Sequence, residues 1–176
     1  MLTEIPVKKA PQTVTKEGKS VAPRIEGVKV RRLTPHEDER GEVMEVYRPS
    51  WGFHPDPLVF VYQVRVRPKK VKGWVVHKEQ EDRIFNCAGT LRVVLFDSRE
   101  DSPTYQMINQ FVLSERSPSI INFPIGVFHA IQNIGDTDAI FINMPNKPYN
   151  HENPDKFRLP IKNDLIPFDF EDPMGW

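Results

Sequence analysis

An all-β sandwich or jelly roll is the fold class this sequence predicts, and three observations predict it. Short alternating or wholly apolar runs of strand length recur from Val28 onward. Clusters of turn-forming residues separate them, and no amphipathic stripe exceeds three helical turns. At 176 residues the chain has the size of one domain with a sizeable core.

The elements follow in order. Residues 1–23 are rich in Lys, Thr and Pro and carry no periodic apolar face, which reads as an extended arm, disordered or draped over a partner subunit. A single domain then spans 24–176. Strands are expected in GEVMEVYR (41–48), LVFVYQVRV (58–66), GWVVH (73–77), TLRVVLFD (90–97), INQFVL (108–113), SIINFP (119–124) and AIFINMP (139–145). The breakers HPDP (54–57), SREDSP (98–103), SERSPS (114–119) and NIGDTD (133–138) supply turns and no room for a long helix. From about residue 145 the chain is Pro-, Asn- and Asp-rich with scattered aromatics, which predicts an irregular wrap with space for one short helix.

Composition narrows the function classes. With 24 basic against 24 acidic residues, bulk charge points to neither a nucleic acid nor a membrane partner. Cys87 is the only cysteine, so there is no disulfide framework and no thiolate metal cluster, and a reducing cytoplasm fits. The opening MLTEIPVKKAPQTV lacks the apolar core of a signal peptide, and no segment approaches the roughly eighteen apolar residues of a membrane helix. The expectation is a soluble cytoplasmic protein whose ligand is recognised at a local site.

Two stretches carry chemistry. FPIGVFHAIQN (123–133) reads P-x-G-x-x-H-x-x-x-N: Pro124 and Gly126 shape a tight turn, and His129 follows on the next strand. That spacing delivers an imidazole to the mouth of a small barrel, with Asn133 on the same strand face. In GWVVHKEQEDRIF (73–85), Val75 and His77 share a face by strand alternation, and Glu81 or Asp82 follows. On spacing alone, His77 reads equally as a site residue or as a hydrogen-bonded barrel histidine. KEQED (78–82) reads as a solvated hairpin end, Cys87 as a small buried hydrophobe, and Trp51 and Trp74 as packing residues.

Together the two stretches resemble the paired motifs of the cupin superfamily, with Val75 where most metal-binding members begin His-x-His. From about Val28 to Phe170 the chain is similar to the dTDP-4-dehydrorhamnose 3,5-epimerase family, a non-metal branch of the cupins. Four elements in order carry the likeness: DERGEVMEVYR (38–48), VKGWVVH (71–77), LRVVLFDSREDSPTY (91–105) and FPIGVFHA (123–130). The resemblance implies a cupin jelly-roll homodimer that uses no cofactor or metal, binds a nucleotide diphosphate sugar and abstracts a proton alpha to a ketone. It implies that Arg40 and Glu45 reach toward the nucleotide, often that of the neighbouring subunit, that Lys72 replaces a diphosphate-binding Arg, and that His129 lies near the sugar. A salt bridge within the hairpin is the competing reading of Arg40 and Glu45, and a solvated strand end that of Lys72.

The departures from the family pattern fall on its chemistry. Aligned without gaps from Lys72-Gly73, the family's catalytic His falls on Val75; counted from His129, its catalytic Tyr falls on Ile142. Its orienting Asp has no recognisable counterpart, and its strand Lys has Asp82 or Arg83 nearby instead. Three readings follow. In the first the site is rebuilt, with His77 as base, His129, Tyr62 or Tyr149 as donor, Gln63, Arg83 and Asn133 among the substrate contacts, and a dTDP-4-keto-6-deoxy sugar as substrate. The second is an inactive sugar-nucleotide-binding cupin. The third is a metal centre of His77, Glu81 or Asp82, and His129.

Overall fold

A computed structural model describes residues 9–170. Its strands, in chain order, are β1 (Lys29–Arg32), β2 (His36–Asp38), β3 (Gly41–Val43), β4 (Tyr62–Val66), β5 (Val71–Val76), β6 (Asp82–Ala88), β7 (Thr90–Asp97), β8 (Ile108–Ser114), β9 (Ser119–Phe123), β10 (Val127–Asn133), β11 (Ala139–Asn143) and β12 (Phe157–Arg158). Two five-stranded antiparallel sheets, ordered β1-β9-β6-β11-β4 and β12-β5-β10-β7-β8, face each other, and β2-β3 forms a separate hairpin. This is the all-β jelly roll that the alternating runs predict.

Strand alternation explains the layers. Along β7, Leu91, Val93 and Leu95 point between the sheets and join Ile84, Ile121, Phe123 and Phe141 in the main core. The intervening Val94 and Phe96 point outward, where they would meet water on an uncovered sheet. Here they meet Ile166, Phe168 and Phe170, and Trp74 and Val76 of β5 join the same cluster. The tail is therefore a third layer. Trp74 lies with its ring centroid 5.4 Å from Phe170 and 6.4 Å from Phe168, contacts each adding about 0.5–1.5 kcal/mol beyond the area buried. Among the described residues the tail contains no helix; its only regular element is β12.

Several local expectations change. The arm is exposed along most of its described length and is pinned at its end, where Asn109 accepts from the Ile25 N–H and donates to the Pro23 carbonyl. Residues 1–8 of the arm lie outside the described residues. GEVMEVYR is strand only over Gly41–Val43, because Met44, Val46 and Tyr47 fold back with Trp51 onto a third core cluster. DRIFNCA, which begins with two charged residues, is a central strand, and KEQED is not simply a solvated hairpin end, since Asp82 is buried. Cys87 is exposed, at a part of β6 beyond its pairing with β9, and is not a buried hydrophobe. No helix among the described residues is long and apolar enough to cross a membrane.

Candidate active site

A cavity of about 280 Å³ opens between β5 and β10 of one sheet and β4, β6 and β11 of the other. The two sequence motifs meet at its edge. Gly126 adopts a φ of +76°, which favours glycine, and a Cβ there would lie 2.7 Å from Arg99 Cγ. Its N–H donates to the backbone carbonyl of His77. Beneath this turn Asp97 accepts from Arg99, Ser102 and Thr104, and the Ser98 hydroxyl donates to the Gly126 carbonyl. Residues 97–104 thus form a polar knot around buried Asp97 that holds the turn placing His129.

At the cavity's centre a carboxylate sits between two imidazoles. His129 lies opposite Val75 in the β10–β5 ladder, and His77 follows the end of β5. Asp82 opens β6 in the facing sheet. Its Oδ2 is 3.4 Å from His77 Nε2 and 3.6 Å from His129 Nε2, and all three residues are buried. On its other side, His77 Nδ1 bonds the Asp155 carbonyl. The His77 ring therefore bridges two acceptors, an arrangement that its doubly protonated form satisfies fully.

The two histidines differ in charge state for physical reasons. Burial disfavours the His77 cation, but the hydrogen bond and charge of Asp82, with the Asp155 carbonyl, raise its pKa overall. Burial dominates at His129; with repulsion from His77 it outweighs the attraction of Asp82 and brings the pKa down to about 4. Asp82 shows the converse balance: burial opposes its ionisation, yet the His77 hydrogen bond and both imidazoles lower its pKa. The site thus pairs one imidazole that burial keeps neutral with one whose cation the Asp82 carboxylate stabilises.

Other groups border the same cavity. Tyr62 Oη accepts a 2.8 Å hydrogen bond from Asn143 Nδ2, which leaves its own proton free to donate. Burial, then the Asp82 charge, raises its pKa to about 12, so the phenol stays protonated. Tyr149 enters from the tail. Lys72, Lys156 and Arg158 add positive charge. Lys72 shares the cavity with Val75 because the ladder slips between the His129–Val75 and Ile131–Lys72 pairs. At this slip a Cβ on Gly73 would lie 2.4 Å from Ala130 Cβ. Asp155, whose carbonyl holds His77, also accepts three N–H bonds from Lys78, Glu79 and Gln80 at 2.8–2.9 Å.

With this geometry in view, the comparison with known proteins is direct. The model of the family described as dTDP-4-dehydrorhamnose 3,5-epimerase matches residues 22–164. The chain belongs to this family. A probable low-salt glycan biosynthesis epimerase, Agl13 of Haloferax volcanii, is 36% identical over 140 residues, 78% of this chain and 89% of that protein. The spore coat polysaccharide biosynthesis protein SpsL of Bacillus subtilis is 32% identical over 149 residues, 83% of this chain and 96% of that protein. The crystal structure of a dTDP sugar isomerase from Desulfovibrio desulfuricans superimposes with a TM-score of 0.77 at 26% identity, covering 83% of this chain and 92% of that one. The protein is thus an epimerase- or isomerase-like cupin.

Within this family fold, the residues expected at the site divide into two groups. His77, His129, Tyr149 and Lys72 border the cavity. Asn133 does not: it is fully buried, donates to the carbonyls of Val66 and Thr137, and closes the turn after β10. Arg83 is also fully buried; its guanidinium bonds the carbonyls of Met144, Asp56, Pro57 and Pro145, and so staples a loop to a strand end. Gln63, next to Tyr62 on β4, is exposed and takes the other strand face. Arg40 pairs with Asp38 and Glu45 with Arg48, away from the cavity of a single chain. Glu81 turns to His54 and Asn122. Among the described residues, the cluster able to hold a metal ion is therefore His77, Asp82 and His129, whose ligand atoms lie within 4.8 Å of one another.

Sequence reasoning missed Asn143, Asp155, Lys156 and Arg158. Ile142 packs away from the cavity with Phe85 and Ile120, and the next residue, Asn143, faces in. One signal was present: Lys156-Phe157-Arg158 places two cations on one face of a short strand, with an aromatic on the other.

Proposed function

We propose that this epimerase-family chain inverts a stereocentre of a dTDP-4-keto-6-deoxy sugar by abstracting a proton alpha to the ketone. The single observation that carries the reading is the His77–Asp82 contact at the cavity's centre. The Asp155 carbonyl holds the Nδ1 side and orients the ring, and the Asp82 carboxylate beside Nε2 stabilises the proton received there. The α C–H bond breaks, its proton passes to His77 Nε2, and the electron pair moves onto the ketone oxygen. Reprotonation from the opposite face by Tyr62 or Tyr149 gives the inverted centre; solvent restores the phenol and takes the proton from His77. The lowered pKa of His129 makes it a weak base and suits it to a neutral hydrogen-bonding role beside the sugar.

The test is incubation with dTDP-4-keto-6-deoxyglucose in deuterium oxide, with label followed at C3 and C5 by mass spectrometry and NMR. Exchange that His77→Ala abolishes is the expected result. Binding without exchange would instead favour the inactive sugar-nucleotide-binding reading. The 4.8 Å donor cluster favours a metal-dependent variant as the second reading. Stoichiometric metal in the purified protein, with exchange lost to chelator, would establish that variant.

We also read the chain as a cytoplasmic homodimer. Hairpin β2-β3 stands as its own two-stranded sheet with Val43 73% exposed, and it carries Arg40 beside Asp38. A second copy docked there would cover Val43 and bring Arg40 and Glu45 toward a neighbour's nucleotide. A nucleotide-activated sugar and a lone cysteine both fit the cytoplasm.

A further inference from the structure

The short tail strand β12 pairs antiparallel with β5, Phe157 opposite Val76 and Arg158 opposite Val75. Side chains alternate along a strand, so Arg158 shares the cavity face of Val75, and Lys156 shares that face two residues back, level with His77. Phe157, between them, turns the other way and sits 4.4 Å under the Lys78 ammonium. The residue before Lys156 is Asp155, whose carbonyl holds His77 and whose carboxylate caps the turn after it. Lys156 is thus tied to the candidate base through one peptide unit. Among the described residues it forms no salt bridge; burial and then the Arg158 charge lower its pKa, and buried Asp82 opposes them.

We propose that Lys156 is a catalytic residue whose ammonium hydrogen-bonds the ketone oxygen as it becomes an enolate. The inference rests on the epimerase reading above. Its physical basis is a charge problem. Asp82 is buried against His77 and His129 and pairs with the cation that His77 becomes, so the charge developing on the ketone oxygen needs another partner. Tyr62, whose oxygen accepts from Asn143, offers only a neutral O–H and does not cancel it. Of the three cations, Lys72 stands level with Ile131 and Arg158 with Val75; Lys156 alone stands level with His77, which acts on the neighbouring carbon. As the C–H electron pair moves to oxygen, the ammonium receives the charge; as the carbon is reprotonated, the charge returns and nothing is consumed. Lys72 and Arg158 then remain for the phosphates.

The experiment compares wild type, Lys156→Met and Lys156→Arg in three measurements: deuterium exchange into dTDP-4-keto-6-deoxyglucose, calorimetric affinity for dTDP alone, and melting temperature. An enolate donor predicts that Lys156→Met slows exchange by about 10²- to 10³-fold while dTDP affinity and melting stay at wild-type values, and that Lys156→Arg recovers part of the rate. Exchange by Lys156→Met within a few-fold of wild type overturns the proposal. So does a loss of dTDP affinity that accounts for the slower rate, because the residue would then be a phosphate clamp. Absence of exchange in the wild type itself removes the epimerase reading and this proposal with it, an outcome seen in the wild-type arm before any variant is compared.

Discussion

His77 and Asp82 come from facing sheets and meet with Nε2 3.4 Å from Oδ2, so the pair bridges the two layers of the jelly roll. Its charge state sets a pH dependence. Because the folded-state pKa of His77 is raised, the proton-accepting form appears only above the ordinary histidine value of about 6.5. Exchange should therefore rise with pH through a limb displaced to the alkaline side. Asp82→Asn removes the charge that opposes burial and should move the limb to lower pH while slowing exchange by about 10- to 100-fold. A limb that stays in place in Asp82→Asn would separate His77 from the rate. The same linkage has a stability sign: the His77 contribution is complete below the unfolded pKa and is lost as pH rises through the folded one. Urea midpoints across that window measure it.

Tyr62→Phe keeps the ring and removes only the hydroxyl, which is also the acceptor for Asn143. Abstraction does not need this proton, but inversion does. The expected outcome is deuterium exchange close to wild type with markedly less inverted product by NMR. Equal losses of exchange and inversion would assign Tyr62 to binding and leave donation to Tyr149.

Asp155→Ala leaves three backbone N–H groups of the turn after His77 without their carboxylate. A loss of about 2 kcal/mol in urea unfolding is expected, together with slower exchange as His77 loses its fixed orientation. Wild-type unfolding in this variant would mean that water replaces the carboxylate without penalty.

Phe170→Ala opens a gap over the outer sheet face between Trp74 and Phe168. Truncation of a buried phenylalanine costs about 3–5 kcal/mol, and denaturant unfolding should approach the lower end because Phe170 lies at the margin of its cluster. A change under 1 kcal/mol would show that the tail is not a third layer in solution.

Val43→Glu places a charge on the exposed hairpin. Light scattering should show a dimer for the wild type and a monomer for the variant, with dTDP affinity falling in parallel. A dimeric variant with full affinity would locate the subunit contact elsewhere.

Legibility in the sequence followed the range of the interaction. Strands β7 and β9 were readable because both faces are buried and their runs are largely apolar, and β11 because buried and half-buried residues alternate along an almost wholly apolar run. β6 was obscured because Asp82 and Arg83 look like solvent residues until the opposite sheet and four carbonyls are in place to receive them. His77 and His129 were found by local spacing, which also put Asn133 on their face. Only the turn contacts with Val66 and Thr137 show that its amide is already satisfied. Lys156 and Asp155 approach the cavity from nearly eighty residues beyond His77, and no local pattern encodes a contact of that span.

The tail does two jobs at once. Residues 166–170 cover the outer sheet face, and residues 155–158 reach the cavity beside His77. During synthesis, strands β1 through β11 emerge before either segment, so a nascent barrel has every strand of both large sheets except β12 and still lacks Asp155 and Lys156. Docking of the tail therefore both shields Trp74 and brings Asp155 and Lys156 to the cavity, and a chain whose tail has not docked has neither.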